Sequence, residues 1–211
     1  PCVTYHWEIS LEIYEEYLAE VAVFKGVWYV YIMRYFIGYK GGGDIEKYYQ
    51  HLTADLSGRF GIADLSRRVP PHFTLKYPFV VNNTANIEKS IEIFLECKKS
   101  IPSVIDGFDR FDHETIFLSV APSHELSVFV KDCITELGDL GDVEKFDADT
   151  YRLHLSVARH LDVATFDLVW GYLNDLPKPH FEFLFDNVTL FVEEDNTWNA
   201  KKVFKMKTRD F

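Results

Sequence analysis

Apolar residues recur at two different periods along the chain, and the places where the period changes divide it into elements. Over residues 10–24, Ile13, Tyr14, Tyr17, Leu18, Val21 and Ala22 fall at helical spacing, with Glu12, Glu15, Glu16 and Glu20 on other faces. This predicts an amphipathic helix ended by Gly26. Residues 27–37 are dense in Val, Ile, Tyr and Trp without polar alternation, as in a strand covered on both faces, which Gly38 and the run Gly41, Gly42, Gly43 are expected to break. Helical spacing returns over 44–60, with Asp44 as the cap, and again over 86–99, 123–140 and 163–173. Strands are predicted over 104–111 and 115–120, joined as a hairpin through Asp112, His113 and Glu114, and over 181–192 and 201–206 around an Asp195-Asn196 turn.

Two further stretches have the strand period of two and carry the same chemistry. One is Pro70-Pro71-His72-Phe73-Thr74-Leu75-Lys76-Tyr77-Pro78; the other is Tyr151-Arg152-Leu153-His154-Leu155-Ser156-Val157-Ala158-Arg159-His160. In a strand, His72 and Thr74 point to one face and Phe73 and Leu75 to the other, and His154 with Ser156 repeats the arrangement. Strict alternation puts Lys76 on the His72 face and Arg159 opposite His154. Pro70 and Pro71 give His72 an extended approach, and Pro78 is expected to close the strand at an edge or rim. Matching parts of the chain are offset by about 80 residues, which indicates a duplicated half-domain rather than a solenoid repeat. The lobes are expected over 44–121 and 123–207, with strand 27–37 added to a single domain spanning 27–211. Residues 1–26 are an N-terminal helical extension.

Composition narrows what this scaffold can do. Apolar residues are 47 % of the 211 and aromatics 16 %, enough for a sizeable core. The formal charge of −11 argues against a binder of long double-stranded nucleic acid, which draws its affinity from Lys and Arg, but leaves room for a small anion in a locally positive cleft. Cys2, Cys97 and Cys133 are odd in number and form no C-x-x-C pair, as for reduced thiols in a cytoplasmic protein. The apolar run over 21–37 is interrupted by Lys25, Gly26 and Arg34, so no membrane span is expected, and no secretory leader is visible. The glycine run lacks the spacing of a phosphate loop. His6, His51, His113, His124, His160 and His180 show no metal-ligand spacing, and no metal or other cofactor is expected; His160 is the one closest to a motif.

A lone histidine beside a hydroxyl is most often a hydrogen-bonded rim residue. Two copies in matching places, each on a strand with a greasy back, form a kit of two proton-transfer groups and two neutral donors that can act on a phosphodiester without a metal. The segments His72-Phe73-Thr74-Leu75 and His154-Leu155-Ser156-Val157 resemble the two motifs of the 2H phosphoesterase superfamily. Their wording is nearest the bacterial branch of 2′-5′ RNA ligases and RNA cyclic phosphodiesterases, and the likeness runs from about residue 27 to the C-terminus. It implies an α+β fold, a bilobal duplicated module with two antiparallel sheets flanking a central cleft and helices outside. It implies metal-independent opening of 2′,3′-cyclic phosphates or cleavage of 2′-5′ linkages in a nucleotide or short RNA, with His72, Thr74, His154 and Ser156 as the catalytic residues. Arg159 matches a basic position of that pattern, and Lys76 is a second candidate for the phosphate. Tyr77, Tyr151 and Trp198 are candidates to stack on a base, and Arg152 is read as surface charge or a phosphate contact. A monomer is expected. The alternatives are a binding module for nucleotides or RNA ends without turnover, and a phosphoesterase acting on a non-nucleotide.

Overall fold

Which segments pair is decided by their apolar faces and by the short turns between them. The structure, a computed structural model, describes residues 21–24, 27–30, 33–121, 123–140, 147 and 150–209. In chain order these form β1 (Val21–Phe24), β2 (Val27–Val30), β3 (Arg34–Lys40), α1 (Gly43–Phe60), β4 (His72–Val80), α2 (Ala85–Leu95), β5 (Ile101–Phe111) and β6 (Thr115–Val120). Then come α3 (His124–Leu137), β7 (His154–Ala158), α4 (Val163–Asp175), β8 (His180–Phe185), β9 (Asn187–Glu194) and β10 (Thr197–Lys205). β1 and β2 pair with each other, and the remaining strands make two antiparallel sheets of four, ordered β10-β9-β3-β4 and β7-β6-β5-β8. The fold is α+β, as expected.

Each sheet draws on both halves of the chain. The hairpin β5–β6 follows the first histidine strand but pairs with the second, β7, while β9 and β10 complete the sheet of β4. The lobes are therefore not the contiguous spans 44–121 and 123–207. The strand expected over 181–192 is two strands, β8 in one sheet and β9 in the other, and the chain crosses between them at Asp186. Hydrophobic pattern fixes which face of a strand is buried, but not which neighbour it takes. The crossing is welded by aromatic packing: Tyr39 of β3 stacks on Phe185 of β8 at 4.6 Å and donates its hydroxyl to the Leu184 carbonyl at 3.2 Å. Phe73 of β4 meets Phe183 at 5.8 Å, and one buried cluster runs behind both sheets.

Several local expectations change. Val21–Phe24 is a strand paired antiparallel with β2, so the helix predicted over 10–24 fails in its last four residues; the rest of it, and Gly26, lie outside the described residues. The strand predicted over 27–37 is divided into β2 and β3, and β3 runs through Gly38 to Lys40 rather than breaking there. Gly42 rather than Asp44 caps α1, leaving Asp44 and Glu46 in the first turn, where they favour the positive end of the helix dipole; Gly61, at φ 68, closes the other end. Ser123 and Asp162 cap α3 and α4 through their side chains. α2 and α3 stop at Leu95 and Leu137, short of the predicted 99 and 140. Pro78 lies inside β4, which tolerates the missing amide because β4 is an edge strand.

Gly38 lets β3 and β4 approach beside Thr74, its register partner. A Cβ there would stand 2.6 Å from the Phe73 carbonyl oxygen and 3.2 Å from the Phe36 ring. Gly38→Ala is expected to cost about 1–3 kcal/mol by overpacking, read as a lower urea midpoint; an unchanged midpoint would show that β3 and β4 separate there without penalty.

Candidate active site

The histidines sit on edge strands that neighbour each other, β4 in one sheet and β7 in the other. His72 and Thr74 are half-buried while Phe73 and Leu75 are buried, and His154, Ser156 and Leu155 repeat the pattern. Each imidazole is fixed in the same way. Nδ1 of His72 lies 2.9 Å from the Pro70 carbonyl, and Nδ1 of His154 lies 2.8 Å from the Arg152 carbonyl, two residues back in both cases. A carbonyl oxygen only accepts, so each Nδ1 carries a proton and Nε2 is the nitrogen left for a substrate. Each ring also rests against two phenylalanines, His72 on Phe36 at 4.9 Å and Phe191 at 5.8 Å, His154 on Phe111 at 4.8 Å and Phe117 at 5.1 Å. This burial pushes the His72 pKa down to about 4, opposed by the Pro70 carbonyl and helped by the charges of Arg159 and His154. Burial also lowers His154, with Arg159 and Arg152 acting in the same direction against the Arg152 carbonyl.

Both motifs contain one extra residue at the same place. In β4, Thr74 pairs with Gly38 and Lys76 with the adjacent Ile37, so Leu75 is the additional residue; in β7, Ser156 pairs with Phe117 and Ala158 with the adjacent Ile116, so Val157 is. Such a bulge places two successive side chains on one face and inverts the alternation beyond it. Leu75 and Lys76 are both buried, as are Val157 and Ala158. One expectation is thereby reversed. Lys76 does not share the His72 face: it is 2 % exposed, and its Nζ donates to the Gly138 carbonyl at 2.6 Å, at the C-terminal end of α3 where a cation is favoured. Arg159 is exposed just beyond β7 and its charge acts on both histidines. Tyr77, 46 % exposed, occupies the equivalent position after β4's bulge.

The model of a family described as the 2′-5′ RNA ligase superfamily matches residues 44–197, which contain both motifs. The chain belongs to this superfamily. Among curated protein sequences, none matches it. Of solved structures, LigT of E. coli in its apo form shares 14 % identity with a TM-score of 0.54, covering 83 % of this chain and 98 % of LigT. LigT complexed with 3′-AMP gives 13 % identity and a TM-score of 0.54, over 83 % of this chain and 98 % of LigT. TT0787 of Thermus thermophilus gives 12 % and 0.56, over 84 % of this chain and 100 % of its own. At such identities the likeness is one of fold, and it agrees with the duplicated two-sheet arrangement of this superfamily member.

The remaining candidates separate into those at the histidine face and those elsewhere. Tyr151 is a strut: its hydroxyl donates to the Thr74 carbonyl, tying the approach of the second motif to the first, and its ring lies 6.4 Å from that of His154. Arg152 pairs with Asp109 and covers Phe111 and Phe117 at 5.9 and 5.7 Å. Trp198 meets Phe36 edge-on at 4.8 Å, with the Arg34 guanidinium 5.6 Å from its centroid. His160 is exposed in a turn at φ 56. Among the described residues no group of three His, Cys, Asp or Glu side chains is arranged to hold a metal ion, and no helix is long and apolar enough to cross a membrane. Sequence reasoning missed Lys40, which pairs directly with His72 across the ladder, and the four phenylalanines that desolvate the imidazoles. No sequence signal marks them, since only strand register brings them to the site.

The bulge leaves Lys76 buried against Gly138 and Arg159 exposed, so a contact with the phosphate is expected of Arg159 alone. Arg159→Met is expected to lower kcat/KM for a phosphodiester by roughly 10- to 100-fold, the weight of a charge-assisted hydrogen bond of about 1.5–3 kcal/mol. Lys76→Met is expected to lower the thermal midpoint and leave KM near that of the parent. The reverse pattern would put Lys76 at the phosphate.

Proposed function

We propose that this protein is a metal-independent phosphodiesterase that opens 2′,3′-cyclic phosphates or cleaves 2′-5′ linkages in a nucleotide or short RNA. The observation that carries the reading is the matched pair of imidazoles, each locked through Nδ1 with a hydroxyl two residues on. His72, held mostly neutral at pH 7 by burial, takes a proton through Nε2 from water as its oxygen attacks phosphorus. The ribose oxygen leaves as its bond to phosphorus breaks and receives the proton carried on Nε2 of His154. The bound phosphate anion favours that protonated state. One water is consumed, one phosphomonoester forms, and the two histidines exchange protonation states until solvent resets them. Thr74 and Ser156 donate to the non-bridging oxygens, and Arg159 balances the charge that builds on them. The negative charge of the whole chain, −11, favours a substrate small enough to touch only this local cation. A monomer working in the cytoplasm fits a substrate of that kind.

Three measurements test the reading. His72→Ala and His154→Ala are each expected to lower turnover by on the order of 10²- to 10⁴-fold without unfolding the chain, followed by chromatography of cyclic nucleotides and 2′-5′ dinucleotides; near-normal activity in either variant sinks the two-histidine mechanism. Turnover is expected to persist in excess EDTA, and loss restored by one particular metal would move the protein to another mechanistic class. The pH profile follows from the pKa directions. A base near 4 and an acid below its ordinary 6.5 leave kcat/KM rising as pH falls from 8 to 6, with a maximum below 6.5. A maximum above pH 7.5 contradicts this.

A further inference from the structure

A cavity of about 320 Å³ lies beside the first histidine, bordered by Trp198 and Asn199 of β10, Tyr49 and Gln50 of α1, and Lys40 of β3. We propose that it is the subsite for the nucleoside whose phosphate lies between the two histidines, with Trp198 as the platform for the base. This rests on the phosphodiesterase reading above and assigns the substrate's second anchor.

The cavity and the histidine share a wall. Pro70 and Pro71 line the cavity, and the Pro70 carbonyl is the group that holds His72 Nδ1 at 2.9 Å. Lys40 lines it too and is the register partner of His72, so the two side chains rise from the same face of the sheet. The wall is pinned from three elements. The Trp198 amide donates to the Arg68 carbonyl at 2.7 Å, and the Gly41 amide to the Pro71 carbonyl at 2.9 Å. The Tyr49 hydroxyl reaches the Val69 carbonyl at 3.5 Å. Trp198 is braced in turn by Phe36, the same ring that packs on His72, and by Arg34, which pairs with Glu193 at 2.8 Å. The charge of Arg159 is felt by Tyr49 as well as by both histidines, which puts the proposed phosphate site and the cavity within one electrostatic neighbourhood.

The lining selects the occupant. An indole offers a flat apolar surface to any base, and the Gln50 carboxamide presents a donor and an acceptor, the pairing that base edges require, while Asn199 donates to Glu194 at 3.2 Å and keeps its oxygen as an acceptor. Lys40 and Glu46, both in the lining, are opposite in sign, so the cavity suits a neutral heterocycle better than a second phosphate. Its volume is at the small end of ligand pockets, which run from about 300 to 1,000 Å³; one nucleoside fits that size and a folded oligonucleotide does not.

Calorimetric titration of the full chain separates this proposal from the one it rests on, using the four nucleoside 3′-monophosphates and inorganic phosphate as probes. Trp198→Ala is expected to weaken the nucleotides by roughly 5- to 150-fold, the equivalent of about 1–3 kcal/mol per stacked base, and to leave inorganic phosphate within about twofold. Gln50→Trp, at an exposed position of α1, fills the cavity without disturbing the sheet and has to give the same selective loss, which keeps the test decisive if Trp198→Ala fails to fold. Equal weakening of nucleotide and phosphate, or no weakening of either, overturns the subsite alone. If the parent binds neither probe, or if His72→Ala and His154→Ala bind phosphate as the parent does, the phosphate site itself is wrong and the subsite falls with it.

Discussion

The site depends on one extra residue within each histidine motif. Without Leu75 and Val157 out of register, strict alternation would carry the His72 and His154 faces onward to Lys76 and Ala158 and turn Tyr77 and Arg159 the other way. With them, a lysine is drawn under the sheet to the end of α3, and an arginine is delivered to the neighbourhood of the imidazoles. The same irregularity at the same motif position in both strands is the duplication expressed in backbone geometry. In both strands the pairing resumes past the extra residue, so the face the strand presents changes within the ladder rather than at its end.

The exchange of hairpins between the halves serves the same site. Had each half closed its own sheet, the two histidine strands would belong to units joined only by linkers, free to shift against each other. Because β5–β6 pairs with β7 and β9–β10 completes the sheet of β4, each sheet is built around the other half's histidine, and the aromatic weld of Tyr39, Phe73, Phe183 and Phe185 fills the crossing. Tyr151 adds a direct tie from the second motif to the Thr74 backbone. This connectivity holds the two histidine strands beside each other.

Electrostatics at the site runs against the charge of the molecule. A chain with 33 carboxylates and 22 Lys and Arg residues holds its histidines in aromatic surroundings that disfavour their charged form, with Arg159 and Arg152 nearby to disfavour it further. An anion bound beside them would reverse that balance, since its negative charge favours an imidazolium. Protonation of a histidine and binding of such an anion would then be linked.

The sequence by itself determined most of the helices and strands of this fold and the identity of its four motif residues, because those follow from local physics: period two gives a strand with a polar face, period 3.6 gives a helix, and two copies of an imidazole beside a hydroxyl are legible wherever they stand. It placed α1, β5, β6 and α4 within a few residues, and it found the repeat. It could not decide partners. The pattern over 181–192 reads as one strand, and only the packing around Asp186 divides it into β8, whose His180, Glu182 and Leu184 are exposed, and the mostly buried β9 of the other sheet. The face of Lys76 was misjudged for a related reason: a bulge is created by the register of two strands distant in sequence, and Ile37 with Leu75, or Ile116 with Val157, shows nothing of it until they meet. Lys40 and the phenylalanines around the imidazoles reach the site the same way, through ladders that close long loops, so their roles belong to the tertiary structure alone.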